Sequence, residues 1–203
     1  MDTAYYAHVP LPGGPGRLLI GICPGRVKPP EHARVVEDDV RFLREHEHTT
    51  VLVRMLRAAE IEARMGWSVG RMDEAAREAG MELLVCEIKD KWLPKDKTAF
   101  VETVRAVCER LGRGETVYAF CNGGKGRSGT LCTAVLMAHG MTLDEAKQTV
   151  RTARPGTIRN PAQILWLRMA RSKIAAIDAQ QYWVDSSEGV SEGVSEEESE
   201  EET

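Results

Sequence analysis

The stretch CNGGKGRSGT, residues 121–130, constrains the fold of this chain more than any other feature of its sequence. A hydrophobic run at 116–120 precedes it and an apolar run at 131–137 follows it, which predicts a strand, a glycine-rich turn and a helix. Glycines allow the backbone to curl so that successive N–H groups point inward, and the start of a helix adds its partial positive charge. Such a turn is suited to binding a doubly charged oxyanion.

Three loop motifs compete for this stretch. Residues 124–129 formally match the dinucleotide-binding pattern G-x-G-x-x-G, but that pattern follows the first strand of its unit, and here at least three predicted strands come earlier. A Walker A loop requires serine or threonine after Gly-Lys, and the lysine here is followed by glycine. The third pattern, C-x5-R followed by serine, fits Cys121, Arg127 and Ser128. It predicts a thiolate beneath an anion whose oxygens a guanidinium holds.

Hydrophobic periodicity along the rest of the chain predicts alternating strands and helices. Buried strands are predicted at 17–23, 49–53, 82–88 and 116–120. Helices are predicted at 33–46, 55–65, 72–79, 98–111, 128–139, 142–153 and 160–182. This alternation is typical of an α/β fold, so we expect a single domain with a central, mostly parallel sheet of four to five strands flanked by helices. In such a sheet, ligand sites lie at the carboxyl ends of the strands.

The two ends of the chain differ in composition from its middle. Residues 1–16 are rich in Pro and Gly and are expected to form an extended surface segment, whereas 17–184 should form the folded domain. Residues 185–203 contain nine acidic residues and neither Lys nor Arg, so we expect this tail to be disordered. Because all 27 Lys and Arg come before the tail, residues 1–184 carry a net charge of +5, although the whole chain carries −4. The tail is interpreted as a solvated spacer or as an acidic segment that binds a basic partner.

The composition also bears on location, partners and metals. No apolar run approaches the roughly 18–20 residues needed to span a bilayer, and no signal peptide is visible, so we expect a cytosolic or nuclear protein. Its five cysteines are then expected to be free thiols, with Cys23 or Cys132 as a candidate disulfide partner of Cys121. The mildly basic body suits a phosphorylated substrate and is too weakly charged to argue for nucleic acid. The run EHEH at 45–48 is interpreted as a solvated helix end, and neither a metal nor a cofactor is expected.

The residues CNGGKGRSG at 121–129 resemble the signature of the protein tyrosine phosphatase superfamily, in its compact dual-specificity branch. Residues 88–94, with the sequence IKDKWLP, are similar to the loop that carries the family's general acid, and 141–155 resemble its helix that runs into an Arg-Pro turn. The Cys-Pro-Gly at 23–25 is similar to the cyclin-dependent-kinase-associated phosphatases. The superfamily resemblance covers roughly residues 17–175 and implies a cysteine phosphatase fold.

The resemblance implies a role for each residue of the site. Cys121 is the expected nucleophile and forms a phosphocysteine intermediate, since a helix N-terminus and nearby cations lower the pKa of a cysteine. Asp90 is the expected general acid, and Ser128 is expected to donate a hydrogen bond to the leaving thiolate. Gln163 resembles the family's water-orienting glutamine. The expected phosphate-binding residues are Asn122, Gly123, Gly124, Lys125, Gly126, Arg127 and Ser128.

Two positions leave this assignment open. Asp96 is the nearest rival of Asp90 for the role of the acid, because it lies in the same predicted loop. Phe120 occupies the place of a family histidine that supports the loop and favours the thiolate, and a phenyl ring supplies no hydrogen bond. The difference predicts a weaker or more alkaline nucleophile and leaves room for a pseudophosphatase that binds phosphate without hydrolysing it. Because Cys121, Arg127 and Asp90 are all present, we expect an active enzyme.

The sequence indicates the substrate class through two features that disagree. Lys125 lies inside the loop, and similar superfamily members with lysine at this place include enzymes that act on phosphoinositides or inositol polyphosphates. An extra cation at this place stabilises a second phosphate. The similarity of the N-terminal half to kinase-associated phosphatases favours a phosphoprotein instead. We expect a protein phosphorylated on Tyr, Ser or Thr as the substrate, with a phosphorylated small molecule or lipid headgroup as the alternative.

Overall fold

A five-stranded sheet with seven α-helices around it makes up the computed structural model, which describes residues 5–26 and 34–183. The predicted fold class, a mostly parallel sheet of four to five strands flanked by helices, is confirmed. The acidic tail at 185–203 lies outside the described residues, so its expected disorder stays a prediction.

The elements of the sheet and its helices follow one another in the predicted alternation. The strands are β1 (Tyr6–Val9), β2 (Arg17–Ile22), β3 (Val51–Arg54), β4 (Glu82–Val85) and β5 (Thr116–Cys121). The helices are α1 (Val36–His46), α2 (Ala58–Met65), α3 (Val69–Glu78), α4 (Lys97–Gly112), α5 (Arg127–Ala138), α6 (Leu143–Ala153) and α7 (Pro161–Ala175). A short 3-10 helix, Ala179–Tyr182, follows α7.

Strand β5 lies at the centre of the sheet, whose order is β1-β2-β5-β3-β4, and all six of its residues are buried. Strand β1 is antiparallel to β2, and the other neighbours are parallel. The uninterrupted hydrophobic burial of β5 and β3 is expected for parallel strands covered on both faces. The register pairs Ile22 with Cys121 and Arg54 with Phe120, so β2, β3 and β5 end at the same edge. The segments that follow these strands therefore meet there.

Helix α5 is the innermost helix, because all 12 of its residues are buried. It contacts β2 and β5, and α4, α6 and α7 pack around it. A helix with apolar residues on every side is stable only when it is covered in this way. Its N-terminus therefore has a fixed position above the centre of the sheet.

Three helices begin at capping residues that can be read from the sequence. The side chain of Asp96 accepts hydrogen bonds from two N–H groups of α4. Thr142 and Glu145 form a reciprocal capping box at the start of α6. Asn160 caps α7, with Pro161 at its first position. These side chains satisfy backbone N–H groups that the helices leave free, and so determine where the helices begin.

Strand β1 was not predicted. Tyr6 and Val9 are buried, the strand pairs with β2, and the Tyr6 hydroxyl donates a hydrogen bond to the carboxylate of Glu47. The expectation of an extended surface segment over 1–16 is therefore wrong for these four residues. A strand this short, followed by prolines and glycines, has too little alternation to be recognised before its partner strand is known.

The predicted helix at 160–182 consists of two elements. Helix α7 ends at Ala175, and Asp178 has a positive φ of 40° before the 3-10 helix begins. This turn buries Ile177 and brings Tyr182 against α4 at Gly112, where a Cβ would lie 2.3 Å from the Tyr182 carbonyl oxygen. The helix ends here because the packing of Tyr182 against α4 stabilises the fold more than further helical turns would. The predicted helix at 55–65 likewise begins only at Ala58, since the pairing of β3 with β5 continues to Met55, whose N–H donates to the carbonyl oxygen of Phe120.

Candidate active site

The loop of residues 122–126 leaves the carboxyl end of β5 and leads directly into α5, as the sequence predicts. At Gly124 φ is +61°, and a Cβ there would lie 2.5 Å from the carbonyl oxygen of Gly21 in β2. Any other residue would overlap the backbone of the neighbouring strand and would be strained. Glycine at this place therefore allows the loop to lie tightly over the end of the sheet.

Two arginines that the sequence analysis missed support the outer side of this loop. Arg26 donates to the carbonyl oxygen of Asn122 at 2.8 Å, and the buried Arg154 donates through Nε to that of Gly124, also at 2.8 Å. Burial lowers the pKa of Arg154. These two bonds hold the backbone of the loop in place, and the N–H groups of Lys125 and Ser128 donate to the Cys121 thiol within it. The sequence analysis noted Arg154 only as part of an Arg-Pro turn and did not single out Arg26, and it assigned neither of them a contact with the loop.

The thiol of Cys121 is buried beneath the loop, and its Sγ accepts a hydrogen bond from the Ser128 hydroxyl at 3.0 Å. Burial by itself would raise the pKa of this thiol. The charge of Arg127 and the hydrogen bonds from Ser128 and the Lys125 N–H outweigh burial, so the pKa of Cys121 lies below its ordinary value. The structure thus brings together three residues that the sequence analysis assigned to the site, and it favours the thiolate.

The guanidinium of Arg127 is buried and is held by a carboxylate that the sequence analysis missed. Both carboxylate oxygens of Glu60 in α2 accept hydrogen bonds from it at 2.7 Å, and the carbonyl oxygen of Ile88 accepts another at 2.9 Å. Burial alone would lower the pKa of Arg127, but the hydrogen bond with Glu60 and the nearby negative charges raise it. Glu60 lies 67 residues before Arg127, and a single glutamate in a short helix carries no sequence signal of this contact.

Asp90, the expected general acid, lies on the wall of the same cavity as Cys121. Its carboxylate contacts Nη2 of Arg127 at 3.1 Å and Nη2 of Arg64 at 2.9 Å. Its rival, Asp96, caps α4 and does not line this cavity. Of the two aspartates, the structure brings only Asp90 to the site.

Gln163, the expected water-orienting residue, is 2% exposed and lies on the cavity wall. Its amide group lies beside the loop, because a Cβ at Gly126 would be 3.2 Å from Nε2. Its Oε1 is buried and has no hydrogen-bond partner among residues 5–26 and 34–183. A buried acceptor without a partner is costly, so this oxygen is suited to a water molecule or a substrate group in the cavity.

Phe120 is fully buried in β5 and stacks on Tyr118, with ring centroids 5.8 Å apart. The Tyr118 hydroxyl donates to the carbonyl oxygen of Ile22 at 2.7 Å. The phenyl ring therefore fills the core under the loop and supplies no hydrogen bond to it. The weaker nucleophile expected from this difference stays a prediction, although the pKa of Cys121 is lowered by its other neighbours.

All five cysteines are free thiols. Burial raises the pKa of Cys23 and Cys132, and the negative charge of Cys121 raises both further. Burial also raises the pKa of Cys86 and Cys108. Cys121 is thus distinguished from the other four thiols by its lowered pKa, and a protective disulfide to Cys23 or Cys132 stays a prediction.

The cavity above Cys121 has a volume of about 490 Å³. Loop residues form its base, and Asp90 and Lys91 lie on one side. Arg159 lies in the segment that leads into α7, and Gln163 lies in the first turn of that helix. Within the described part of the chain, no group of three or more His, Cys, Asp or Glu side chains is placed to hold a metal ion. None of the helices described is long and apolar enough to cross a bilayer.

A buried thiolate can attack phosphorus when N–H groups and a guanidinium hold the oxygens of the phosphoryl group beside it. This fold and this arrangement of thiol, loop and guanidinium are those of the cysteine-dependent phosphatases. A family model described as PTP-SAK, "Swiss Army Knife protein, DSP-PTPase phosphatase domain", matches residues 22–184. The chain therefore belongs to this family, and the predicted membership of the protein tyrosine phosphatase superfamily, in its dual-specificity branch, is confirmed.

Two related sequences match a shorter part of this chain than the family model does. Dual specificity phosphatase 28 from Homo sapiens is 34% identical over 116 residues, which cover 56% of this chain. Its counterpart from Mus musculus is 30% identical over 105 residues, which cover 51% of this chain. The chain spans 63% of the length of each of these relatives.

Solved structures of other phosphatases share the fold. Kinase associated phosphatase, solved with its catalytic cysteine replaced by serine, has a TM-score of 0.76 at 19% identity, covering 87% of this chain and 98% of that one. PTPMT1, solved in complex with PI(5)P, has a TM-score of 0.67 at 20% identity, covering 85% and 97%. At these identities the similarity shows the fold alone.

Proposed function

We propose that this protein hydrolyses phosphomonoesters through a phosphocysteine intermediate on Cys121. The observation that carries the proposal is the position of this thiol, which has a lowered pKa, accepts a hydrogen bond from Ser128, and lies beside the Arg127 guanidinium. Glu60 holds Arg127 through two hydrogen bonds, so the guanidinium is oriented before a substrate arrives.

In the first step, Sγ of Cys121 attacks phosphorus, so an S–P bond forms and the bond to the leaving oxygen breaks. The N–H groups of the loop and Arg127 bind the remaining phosphoryl oxygens. Asp90 donates its proton to the leaving oxygen, and such acid catalysis typically contributes about 10²–10⁴-fold. Its carboxyl group contacts Arg127 in the structure and moves to the leaving oxygen when phosphate occupies the guanidinium.

In the second step, a water molecule attacks the phosphocysteine and Asp90 accepts a proton from it. The S–P bond breaks and the thiolate of Cys121 leaves, stabilised by the hydrogen bond from Ser128. Gln163 orients the water through its Oε1, which is buried at the cavity wall and has no partner in the part of the chain that the structure describes. Inorganic phosphate is released.

For the substrate we propose a protein phosphorylated on Tyr, Ser or Thr, which the similarity of the N-terminal half to kinase-associated phosphatases supports. A second candidate is a phosphorylated small molecule or lipid headgroup, which Lys125 in the loop favours. PTPMT1, a structural relative, has been solved with a phosphoinositide. A cytosolic or nuclear location and a basic partner for the acidic tail are proposed from the sequence alone.

Hydrolysis of p-nitrophenyl phosphate by the full chain tests the proposal. We expect Cys121→Ser to abolish the release of p-nitrophenol, because a hydroxyl at this place is not ionised at neutral pH. Cys86→Ser is the matched control, since Cys86 is buried away from the cavity and should leave the rate unchanged. An unmodified chain that binds phosphate but releases no product, or a Cys121→Ser chain that remains active, would contradict the proposal.

A further inference from the structure

Strand β4 has one side without a neighbouring strand. It is the last strand in the order of the sheet, and in the described part of the chain only β3 pairs with it. The N–H groups of Glu82 and Cys86 donate to carbonyl oxygens of the β3 segment. Alternate residues of a parallel strand bond to the same neighbour, so the N–H and C=O groups of Leu83, Val85 and Glu87 face away from β3. This open edge can accept one more strand.

The open edge of β4 borders a groove with apolar side chains. The groove has a volume of about 330 Å³ and lies between this edge, the N-terminal half of α4 and the loop that connects them. Val85 and Trp92 both line it, and they are 50% and 58% exposed. Leu93 and Phe100 line it as well. Large apolar side chains exposed along one groove indicate a surface that another segment covers.

The groove also contains exposed cations. Arg57, Lys89 and Lys95 line it, and none of them makes an ion pair with an acidic residue that the structure describes. Nζ of Lys89 lies 4.8 Å from the centre of the Trp92 ring, so one cation and the apolar wall are next to each other. A segment that carries both negative charge and apolar side chains therefore fits this groove.

The acidic residues of the groove do not compete for these cations, because both already have partners. The carboxylate of Glu87 pairs with the buried Arg54 at 3.0 Å. The carboxylate of Asp96 accepts hydrogen bonds from two N–H groups at the start of α4. The positive charge of the groove is thus available to a ligand.

The acidic tail carries a repeat that matches the groove. The unit SEGV occurs at 187–190 and again at 191–194. Successive side chains of an extended segment point to opposite faces, so Val190 and Val194 would share one face with the glutamates of both units. The other face would carry only Ser and Gly. The repeat thus separates apolar and acidic side chains from small ones, as a strand laid against one wall requires.

The tail follows a residue that lies within reach of the groove. Tyr182 packs against Gly112 at the C-terminal end of α4, and Phe100 of the groove lies about 18 Å along the same helix. An extended segment from 184 to 194 covers about 36 Å at ~3.3 Å per residue. This length allows the repeat to reach the groove even when the segment also crosses α4.

We propose that residues 187–194 add to the open edge of β4 as an additional strand. Their backbone groups pair with β4, the two valines enter the apolar groove, and the glutamates lie beside Arg57, Lys89 and Lys95. The tail by itself has too little apolar surface to fold, so it becomes a strand only on this edge. The basic partner of the tail is then its own domain, and this inference does not depend on phosphatase activity.

Amide hydrogen exchange of the full chain, measured by mass spectrometry on peptides that span 82–88, tests the proposal. The outward N–H groups of β4 should exchange about tenfold faster in a chain with Val190→Asp and Val194→Asp, because aspartate does not enter an apolar groove. The matched control carries Val190→Ile and Val194→Ile and should retain the slow exchange. Since aspartate adds negative charge, docking by charge alone would make the exchange slower instead.

A second pair of variants tests the groove itself. Trp92→Ala removes an exposed part of its wall and should also speed the exchange at 82–88. Leu165→Ala is the matched control, because Leu165 in α7 is exposed to a similar extent, 55%, and does not line the groove. Exchange in the central strand, at 116–121, reports global unfolding and should be the same in all these chains.

The remaining outcomes decide which tail occupies the edge. Exchange that does not change on tenfold dilution supports pairing within one molecule, because the effective concentration of an attached segment is independent of dilution. Slow exchange that is lost on dilution would assign the strand to a second copy and overturn the proposal. Equal exchange at 82–88 in the unmodified chain and in the aspartate variant would overturn it as well. Hydrolysis of p-nitrophenyl phosphate is measured separately, and its absence contradicts the phosphatase function alone.

Discussion

The charged groups on the floor of the cavity and those on its rim differ in burial and in whether they have a partner. The floor, which comprises Cys121, Ser128, Arg127 and Glu60, is buried, and each of its charged groups has a partner. The rim, which comprises Lys91, Lys125 and Arg159, is exposed, and within the described residues its charges have none.

The physical reason for this difference is the cost of desolvation. A buried charge requires a partner, whereas water stabilises an exposed charge until a ligand replaces it. This difference indicates that the floor binds the phosphoryl group common to all substrates. The rim contacts the rest of the substrate, which differs from one substrate to another. Variants of the floor should therefore change stability and all rates together, and variants of the rim should change selectivity.

Glu60→Gln should have the largest effect on stability. It leaves the buried guanidinium of Arg127 without its compensating charge, so we expect the free energy of unfolding to fall by about 3 kcal/mol. The rate of p-nitrophenyl phosphate hydrolysis should fall as well, because Arg127 loses its orientation. Urea denaturation and kcat measurements check both expectations.

Glu37→Gln is the matched control for this prediction, since Glu37 pairs with Arg71 at the surface. Water screens that pair, so stability and rate should remain nearly unchanged. If both variants were equally stable, the buried pair would be no more important to the fold than the exposed one, and the distinction between floor and rim would lose its energetic basis.

Asp90→Ala should have the largest effect on rate among the residues of the cavity wall. We expect a loss of about 10²–10⁴-fold on an alkyl phosphate, whose leaving oxygen needs a proton, and a smaller loss on p-nitrophenyl phosphate. Asp96→Ala removes a carboxylate from the same loop and should cost about 1 kcal/mol of stability through loss of the helix cap, with the rate unchanged. If Asp96→Ala lowered the rate and Asp90→Ala did not, Asp96 would be the general acid.

Ser128→Ala should have a smaller effect that depends on pH. The pKa of Cys121 is lowered in part by this hydroxyl, so its removal raises that pKa. Thiolate is present above the pKa and is lost as the pH falls through it. Alkylation of Cys121 by iodoacetamide should therefore slow by up to about three- to tenfold on the acidic side of the profile, and the difference should disappear as the pH rises.

Thr133→Val is the control for this prediction, because the hydroxyl of Thr133 is buried in the same helix and has no hydrogen-bond partner within residues 5–26 and 34–183. Its removal should leave the alkylation profile in place. A Ser128→Ala chain with an unchanged profile would show that Arg127 and the backbone N–H groups alone keep Cys121 ionised.

Much of the sheet could be predicted because its longer strands depend on local signals. The apolar runs at 17–23 and 116–120 become β2 and β5 almost without change, and Asp96 and Asn160 begin helices as caps do. Strand β1 and the break after α7 could not be predicted. Both depend on partners far along the chain, namely β2 and the C-terminal end of α4.

The same division holds in the site. The sequence alone determined the loop, its nucleophile Cys121 and its arginine Arg127, because a glycine-rich turn between a strand and a helix imposes the same local geometry wherever it occurs. Only the tertiary structure decided that Glu60 holds Arg127, that Asp90 rather than Asp96 reaches the cavity, and that Arg159 lies on its wall. These residues come from separate segments of the chain. Packing around the sheet sets the distances between them, so those distances cannot be read from the spacing of residues along the sequence.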